Sequence, residues 1–317
     1  MNDLKIFAST NSKKNFISIF LALFVLYLVF SNFDLKKSYQ IINNANFFAL
    51  TFALIFHYLI IPIRAFRWRL QLEKIGLTLP ISYLTKTLFF AQFFNGILPA
   101  KLGEFYRAHT LKKNHGLSIS KNIGLIFIER VIDLIILIIF TIFSAYSLFG
   151  KNIPPIIKNS ILITSIIMGM IIFFIIILKY NYLNTARILP NFINKKVDVF
   201  IKSATIPLNI FLPLVMCSII IWTLEIISLY LCTVSIGYPI SIWLAIFTTL
   251  TSSLLTAIPI TPAGTGAVEI GVLGIFSLVG IESTVAVTIL ILFRVISYWS
   301  HIIFGFIAYI FSKNFNL

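Results

Sequence analysis

Five stretches of this chain run for 18 to 26 residues without a charged side chain, and they constrain its fold more than any motif does. The uncharged stretches are residues 15–33, 38–63, 159–178, 203–224 and 295–312. About 20 apolar residues of helix cross the hydrocarbon core of a bilayer. Only 11% of the residues are charged, whereas about 25% is usual in a soluble domain. The sequence therefore predicts an all-α polytopic membrane protein and excludes soluble enzymes, disulfide scaffolds and nucleic-acid-binding modules.

Six full spans and two re-entrant hairpins are predicted. The spans lie at about 16–33, 47–63, 123–149, 160–178, 208–235 and 284–311. Two further segments, 81–118 and 240–281, are interrupted by proline, which ends a helix, and by glycine, which permits a turn. Non-helical backbone survives at membrane depth only where protein or a wet cavity surrounds it. These two segments are therefore predicted to enter the membrane as hairpins without crossing it.

Lys and Arg residues set the predicted orientation, since they collect on cytoplasmic loops. With the two hairpins, 19 of the 25 fall on one side and four on the other, while Arg130 and Arg294 lie inside spans. The larger group occupies residues 1–15, 64–122, 179–202 and 313–317. We expect a multi-pass protein of the cytoplasmic (inner) membrane with both termini in the cytoplasm. The net charge of +15 is assigned to this topology and to contact with anionic lipid headgroups, with no nucleic-acid partner.

The chain is predicted to form a single transmembrane domain, 1–317, built from two similar halves at about 16–150 and 160–311. The matching segments are Pro99-Ala100-Lys101-Leu102-Gly103-Glu104 with Pro262-Ala263-Gly264-Thr265-Gly266, which Glu269 follows, and Arg130-Val131-Ile132 with Arg294-Val295-Ile296. The spacing from proline to arginine is 31 residues in the first half and 32 in the second. Three full spans per half is an odd number, so the second copy would insert upside down. Inverted repeats with broken helices are a transporter architecture.

Charged side chains inside the predicted spans are the candidate functional residues, because a charge at the bilayer centre is costly unless it faces a cavity or a partner. Glu129 and Asp133 are one helical turn apart and flank Arg130, and Arg294 is its counterpart in the second half. Two interpretations stay open. Either acids and arginines pair only to tie helices together, or Arg130, Arg294 and Arg107 hold a phosphate while the acids balance or relay charge.

Other polar residues in these segments are given structural roles. His57 is expected to be a buried residue with a satisfied hydrogen bond, and the run from Arg64 through Arg67, Trp68 and Arg69 is expected to anchor a helix end at the interface. Neither the cysteines nor the histidines have metal-ligand spacing, and there is no ATPase phosphate loop. We expect no metal and no cofactor, and transport that is driven by a gradient or runs downhill.

Three ordered motifs resemble the lysylphosphatidylglycerol synthase transmembrane, or flippase-like, family. They are Pro99-x4-Glu104-x2-Arg107, Glu129-Arg130-x2-Asp133 and Pro262-x-Gly264-x-Gly266-x2-Glu269, and the resemblance extends from about residue 16 to 311. It implies a membrane domain that moves aminoacylated phospholipids or polyprenyl-linked and related lipids between leaflets. The matched positions, together with Arg294 from the repeat, are the predicted substrate-binding residues: Glu104, Arg107, Glu129, Arg130, Asp133, Gly264, Gly266, Glu269 and Arg294.

The sequence is thus interpreted as a flippase for a phosphate-bearing phospholipid or polyprenyl-linked lipid, and not as an enzyme. Large synthases of the resembled family carry a soluble aminoacyl-transfer domain after the membrane part, and this chain stops at Leu317, so we do not expect it to make lysylphosphatidylglycerol by itself. One alternative is a membrane-embedded enzyme or partner subunit of lipid-linked glycan or aminoacyl-lipid synthesis, with Glu104 or Glu129 as its acid and Glu269 as a candidate partner. The other is a small-solute secondary transporter. A separate lipid-modifying enzyme or glycosyltransferase is considered as a partner.

Overall fold

The protein is all-helical throughout the part of the chain that the structure, a computed structural model, describes: residue 27 and residues 35–98, 101–185, 191–256 and 261–313. No strand occurs within those ranges, in agreement with the predicted fold class. The helices are α1 (Leu35–Asn43), α2 (Phe47–Lys74), α3 (Ile81–Ile97), α4 (Gly103–His115), α5 (Ile119–Phe149), α6 (Pro155–Thr185), α7 (Asn191–Thr205), α8 (Phe211–Ser235), α9 (Ile242–Leu255), α10 (Ala267–Leu278), α11 (Ser283–Arg294) and α12 (Ser300–Lys313). A π-helical turn, Val295–Trp299, joins α11 to α12.

Three helical stretches among the described residues are long and apolar enough to cross a membrane. They are Phe47–Lys74, Lys196–Ser235 and Ser283–Phe311. These stretches contain the predicted spans at 47–63, 208–235 and 284–311. The predicted spans at 123–149 and 160–178 are helical and lie within α5 and α6. The predicted span at 16–33 lies outside the described residues, apart from Tyr27.

Helix α2 is longer than predicted, because its arginines do not end it. The helix continues through Pro62 to Lys74, and Asn46 caps its start by accepting a hydrogen bond from the Ala49 N–H. Arg67 and Trp68 are only 1% and 0% exposed, so the prediction that they anchor the helix end at the interface is wrong. An ion pair with a carboxylate of α5 replaces the water that Arg67 would otherwise need.

Each of the two segments predicted to be a hairpin consists of two helices with a break between them. Residues 98–102 separate α3 from α4, residues 256–266 separate α9 from α10, and the two helices of each pair pack against each other. Glycine permits the close approach in both pairs. A Cβ on Gly103 would stand 1.9 Å from the carbonyl oxygen of Ala91. Gly264 has a φ of +65°, and a Cβ there would stand 2.8 Å from the Cα of Thr256.

A common apolar core receives side chains from both halves of the chain. Ala53 on α2, Ile132 on α5, Leu229 on α8, Val268 on α10 and Ile289 on α11 all belong to it. Helices α2 and α8, one from each half, pack extensively against each other. The described parts of the two halves therefore fold onto each other, and they enclose the polar site between them.

Candidate functional site

A polar cavity of about 390 Å³ lies between helices of the two halves. Both helix breaks border it, through Lys101 in the first and Ala263 in the second. The titratable and charged side chains in its wall are His57, Arg64, Lys101, Glu104, Arg130, Asp133, Glu225, Arg294, Tyr298 and His301. Such a concentration of charge is stable inside a membrane protein only where the groups pair with one another or contact a wet cavity.

Six charged side chains of the first half form a closed ring in which acid and arginine alternate. The members are Arg67, Asp133, Arg130, Glu104, Arg107 and Glu129, which we call the charge ring. On one side of the ring, Arg67 donates to both oxygens of Asp133 at 2.6 and 3.2 Å, and lies 3.6 Å from Glu129. Arg67 also donates to the Ser218 hydroxyl on α8 at 2.5 Å. This arginine therefore ties α2 to both α5 and α8.

The other side of the charge ring joins α4 to α5. Arg107 lies 2.8 Å from Glu129 and 3.1 Å from Glu104, and its guanidinium stands 4.8 Å from the centre of the Trp68 ring. Arg130 contacts Glu104 and lies 3.6 Å from Asp133. Every member of the ring thus meets two opposite charges, and three arginines balance three carboxylates. The ring is neutral in charge, although four of its polar atoms are buried without a hydrogen-bond partner in the described chain: Arg67 Nε, Arg107 Nε, Glu104 Oε2 and Glu129 Oε1.

The second half holds one buried ion pair at the corresponding place. Arg294 donates through Nε to Glu269 at 2.5 Å and through Nη1 to the Ala263 carbonyl at 3.5 Å. The other Glu269 oxygen accepts the Gly266 N–H at 2.5 Å, and so caps α10. The prediction that a charge inside a span faces a partner or a cavity is confirmed for Arg294, which has both. Its Nη2 atom is buried and has no hydrogen-bond partner in the described chain.

The π-helical turn after Arg294 connects the two halves across the cavity. Tyr298 lies in this turn, where its ring receives the Arg294 guanidinium at 5.0 Å. Its hydroxyl donates to the Gly96 carbonyl of α3 at 3.1 Å. Single turns of π-helix inside longer helices are frequent at functional sites.

Two cations in the cavity wall have no carboxylate partner among the described residues. Arg64 lies two turns after His57 on α2, and its Nε atom is buried without a hydrogen-bond partner there. Lys101 occupies the first helix break with a φ of +53°, a left-handed conformation that costs about 1–2 kcal/mol for a residue with a side chain. The geometry therefore leaves two cations available to a ligand in the cavity.

A third cluster in the wall is a chain of two histidines and a glutamate. His57 Nδ1 lies 3.0 Å from Glu225 Oε2, and His57 Nε2 lies 3.4 Å from His301 Nδ1. The His301 ring stacks on Tyr58 with 5.0 Å between ring centres. Its Nε2 atom is buried without a hydrogen-bond partner in the described chain.

The structure divides the nine predicted binding residues into three groups. Those in the cavity wall are Glu104, Arg130, Asp133 and Arg294. Buried behind the wall, each 2% exposed, are Arg107, Glu129 and Glu269. Gly264 and Gly266 shape the second break, both with positive φ, and they do not line the cavity within the described chain.

Six titratable side chains of the cavity wall are not among the predicted binding residues. These are His57, Arg64, Lys101, Glu225, Tyr298 and His301. The seven-residue spacing of His57 and Arg64 places them on one helix face, a signal that was available in the sequence. Glu225 lies in the middle of an apolar helix, where a charge is expected to face a cavity or a partner.

Apolar helices around a charged internal cavity define a polytopic membrane protein with a buried polar site. The chain belongs to the family described as the lysylphosphatidylglycerol synthase TM region, whose model matches residues 15–305. It is 39% identical to a UPF0104 membrane protein of Methanocaldococcus jannaschii, over 70% of this chain and 95% of that protein. Another UPF0104 membrane protein of the same organism is 24% identical over 96% of both chains. One from Pyrococcus horikoshii is 22% identical over 86% of this chain and 89% of that protein. The predicted family is confirmed.

Proposed function

We propose that this protein moves a phosphate-bearing lipid, a phospholipid or a polyprenyl-linked lipid, between the leaflets of the cytoplasmic membrane. The observation that carries the proposal is that Arg64 and Lys101 line the polar cavity without a carboxylate partner in the described chain. Both residues are partly exposed, and a cation inside a membrane protein that has no carboxylate within ion-pair distance favours an anion. Guanidinium and ammonium groups both bind phosphate, the first by its planar fork and the second as a point charge.

Arg64 and Lys101, rather than Arg130 and Arg294, are the phosphate ligands of this proposal. Arg130 already contacts two carboxylates of the charge ring, and Arg294 contacts Glu269. Of the two roles considered from the sequence, the tying of helices then falls to the ring, and phosphate binding falls to the unpaired cations. The buried Nη2 atom of Arg294 would serve as an additional donor.

An apolar crevice beside the polar cavity offers a place for the lipid tail. It has a volume of about 130 Å³ and lies between α5, α6, α9 and α10. Neighbouring residues on two of these helices line the two spaces: Leu137 and Ser253 line the polar cavity, whereas Ile138 and Leu254 line the crevice. In this arrangement the headgroup would lie in the polar cavity and one chain in the crevice, with the α5–α9 contact between them.

The membrane topology of the proposal is six spans, two re-entrant hairpins and an inverted repeat, with both termini in the cytoplasm. Its support is the recurrence of one ion pair, Glu104 with Arg130 and Glu269 with Arg294, 26 and 25 residues apart in sequence, after each break. Four of the ten cations counted on the segment 64–122 belong to the cavity or the ring, namely Arg64, Arg67, Lys101 and Arg107. The remaining bias, 15 against four, still favours a cytoplasmic location for those loops.

The topology is tested by labelling single cysteines from outside intact cells. Cysteines replacing Lys74 and Lys202 are expected to resist the reagent, and one replacing Lys151 is expected to react. Labelling of the Lys202 position from outside would contradict the hairpin arrangement.

Transport rather than chemistry is proposed, because the acids that an enzyme would use are already engaged. Glu104 and Glu129 each contact two arginines, which leaves neither carboxylate free to exchange a proton with a substrate. A separate lipid-modifying enzyme or glycosyltransferase would then supply or consume the lipid.

Leaflet exchange in vesicles tests the proposal. The purified protein is placed in phosphatidylcholine vesicles that contain a trace of NBD-labelled phosphatidylglycerol or NBD-labelled polyprenyl phosphate, and dithionite bleaches the probe that reaches the outer leaflet. We expect probe that started inside to be bleached only when the protein is present. If neither probe moves, the proposed function is wrong.

The assignment of the phosphate ligands has its own variants. Arg64→Gln and Lys101→Gln are each expected to slow the movement by at least about tenfold, the equivalent of one 1.4 kcal/mol interaction. The matched control is Arg69→Gln on the same helix, whose surface pair with Glu73 lies outside the cavity. An unchanged rate in a variant that lacks both Arg64 and Lys101 would exclude these residues as ligands.

A further inference from the structure

We infer that lipid movement is coupled to a proton, and that the proton binds the buried chain of His57, Glu225 and His301, which we call the proton site. The inference rests on the proposed function and deepens it by naming the co-transported ion. Neither the family resemblance nor the phosphate ligands require such a site.

Glu225 differs from every other buried carboxylate described around the cavity. Glu104, Glu129, Asp133 and Glu269 each contact an arginine, which always carries its charge. Glu225, with a side chain 15% exposed, contacts His57 instead. A histidine, unlike an arginine, can pass its own proton to the glutamate that it contacts, so the charge of Glu225 can change during a transport cycle.

The geometry of the proton site forms a continuous path for a proton. When Glu225 is a carboxylate, His57 donates to it from Nδ1 and accepts at Nε2, so that His301 is the donor of the second contact, from its Nδ1. His301 Nε2 is then the open acceptor. A proton that binds there releases the Nδ1 proton of His301 to His57, and His57 releases its own Nδ1 proton to Glu225. One proton is gained, both imidazoles end neutral, and Glu225 becomes a neutral acid.

Titratable and charged groups lie on every side of the proton site, including Arg130 and Asp133 on α5 and Arg294 on α11, both of which pack on α8. On α2 these are Tyr58 and Arg64, on α8 Cys232, and in the π-helical turn Tyr298. Helix α3, which also packs on α2, contains no carboxylate, and the segment Ile206–Ile210 contains no titratable side chain. Arg64 interacts electrostatically with both Glu225 and His301.

Arg64 links the proton site to the phosphate ligands. His57 and Arg64 stand on the same face of α2, about 10 Å apart along the axis at 1.5 Å per residue. While Glu225 is a carboxylate, its negative charge opposes a phosphate at Arg64. Protonation removes that charge, so proton and anion each strengthen the binding of the other. A phosphodiester that carries one negative charge would cross with its proton without moving net charge.

The test imposes a pH gradient on the vesicles that contain NBD-labelled phosphatidylglycerol. With one proton per lipid, the probe is expected to accumulate in the leaflet that faces the alkaline side, up to about tenfold for one pH unit. Glu225→Gln is expected to abolish this accumulation. Glu73→Gln, which changes a surface carboxylate, is the matched control and is expected to retain it.

The outcomes separate this inference from the proposed function. If the wild-type protein moves the probe but distributes it evenly under the gradient, the proton coupling is wrong and the lipid transport stands. Accumulation in Glu225→Gln equal to that of the wild type would also overturn the proton site. If the wild type moves no lipid at all, the proposed function fails and the coupling fails with it. His301→Asn removes the imidazole at the cavity end of the path and is also expected to abolish accumulation. It serves as the test if Glu225→Gln does not fold.

Discussion

Each half of the molecule forms a glutamate–arginine ion pair after its helix break, but the Arg130 side chain is 32% exposed and that of Arg294 is 9% exposed. In the first half, the pair of Glu104 and Arg130 belongs to the charge ring, where each member touches two opposite charges. In the second half, Arg294 is the one described cation within ion-pair distance of Glu269. Each charge of the ring keeps one ion pair if the other is lost, whereas Glu269 and Arg294 have no second ion pair in the described chain. We therefore expect the first half to remain rigid and the second half to be the part where an ion pair opens.

The two helix breaks also differ in the residues that adopt a positive φ. Lys101 and Ala263 are the described residues other than glycine that adopt a positive φ, and one lies in each break. In the first break the strained residue is a cation, Lys101. In the second break the strained residue is Ala263, and Gly264 directly after it adopts a positive φ without strain. Strain that is retained at a charged residue is typical of a functional site. The first break therefore supplies charge, and the second supplies backbone freedom.

The largest effect is expected for Arg294→Met, which leaves Glu269 buried without a cation. Breaking a buried pair in this way costs about 3–5 kcal/mol. Thermal unfolding in detergent should show a large loss of stability, and the additional change Glu269→Gln should recover much of it. A loss no greater than that of Arg130→Met would contradict the contrast between the halves.

A smaller effect is expected for Arg130→Met. Glu104 keeps Arg107, and Asp133 keeps Arg67, so the remaining carboxylates are still paired. The cost should be about 1.5–3 kcal/mol, the range for hydrogen bonds to charged groups. The same unfolding measurement applies, with Arg130→Lys as a control that retains the charge but not the fork. If Arg130→Met unfolds the protein outright, the ring does not have the redundancy assigned to it.

The variant Lys101→Gly should separate stability from function. The change relieves the left-handed strain of about 1–2 kcal/mol. The greater freedom of glycine in the unfolded chain offsets about 0.5–1 kcal/mol of this stabilisation. We expect a slightly higher unfolding temperature together with slower movement of the NBD-labelled lipid. Faster or unchanged movement would show that Lys101 does not hold the phosphate.

The smallest effect is expected for Arg69→Gln, which removes an ion pair at the surface. The side chains of Arg69 and Glu73 are 35% and 37% exposed, and exposed pairs contribute about 0–1 kcal/mol. Stability and lipid movement should both stay close to those of the wild type. A loss comparable to that of Arg130→Met would mean that this end of α2 is as tightly packed as the ring.

The sequence by itself determined the helical class, the membrane setting and the family, because these depend on patterns read along the chain. Long apolar runs indicated spans at 47–63, 208–235 and 284–311, and all three lie inside apolar helices. Proline and glycine located both breaks, since their effect on the backbone is local. A partner or a cavity at Arg294 was expected as well, because the cost of a buried charge does not depend on which group balances it.

Only the tertiary structure decided which charges balance each other and which stay available. Arg67 meets Asp133 across 66 residues of sequence, and His57 meets Glu225 across 168 and His301 across 244. No local pattern encodes those encounters, so Arg67 was assigned to the interface and His57 to an ordinary hydrogen bond. The phosphate ligands changed for the same reason. Ion pairing depends on distances in space, and closure of the charge ring is what leaves Arg64 and Lys101 as the unpaired cations of the cavity.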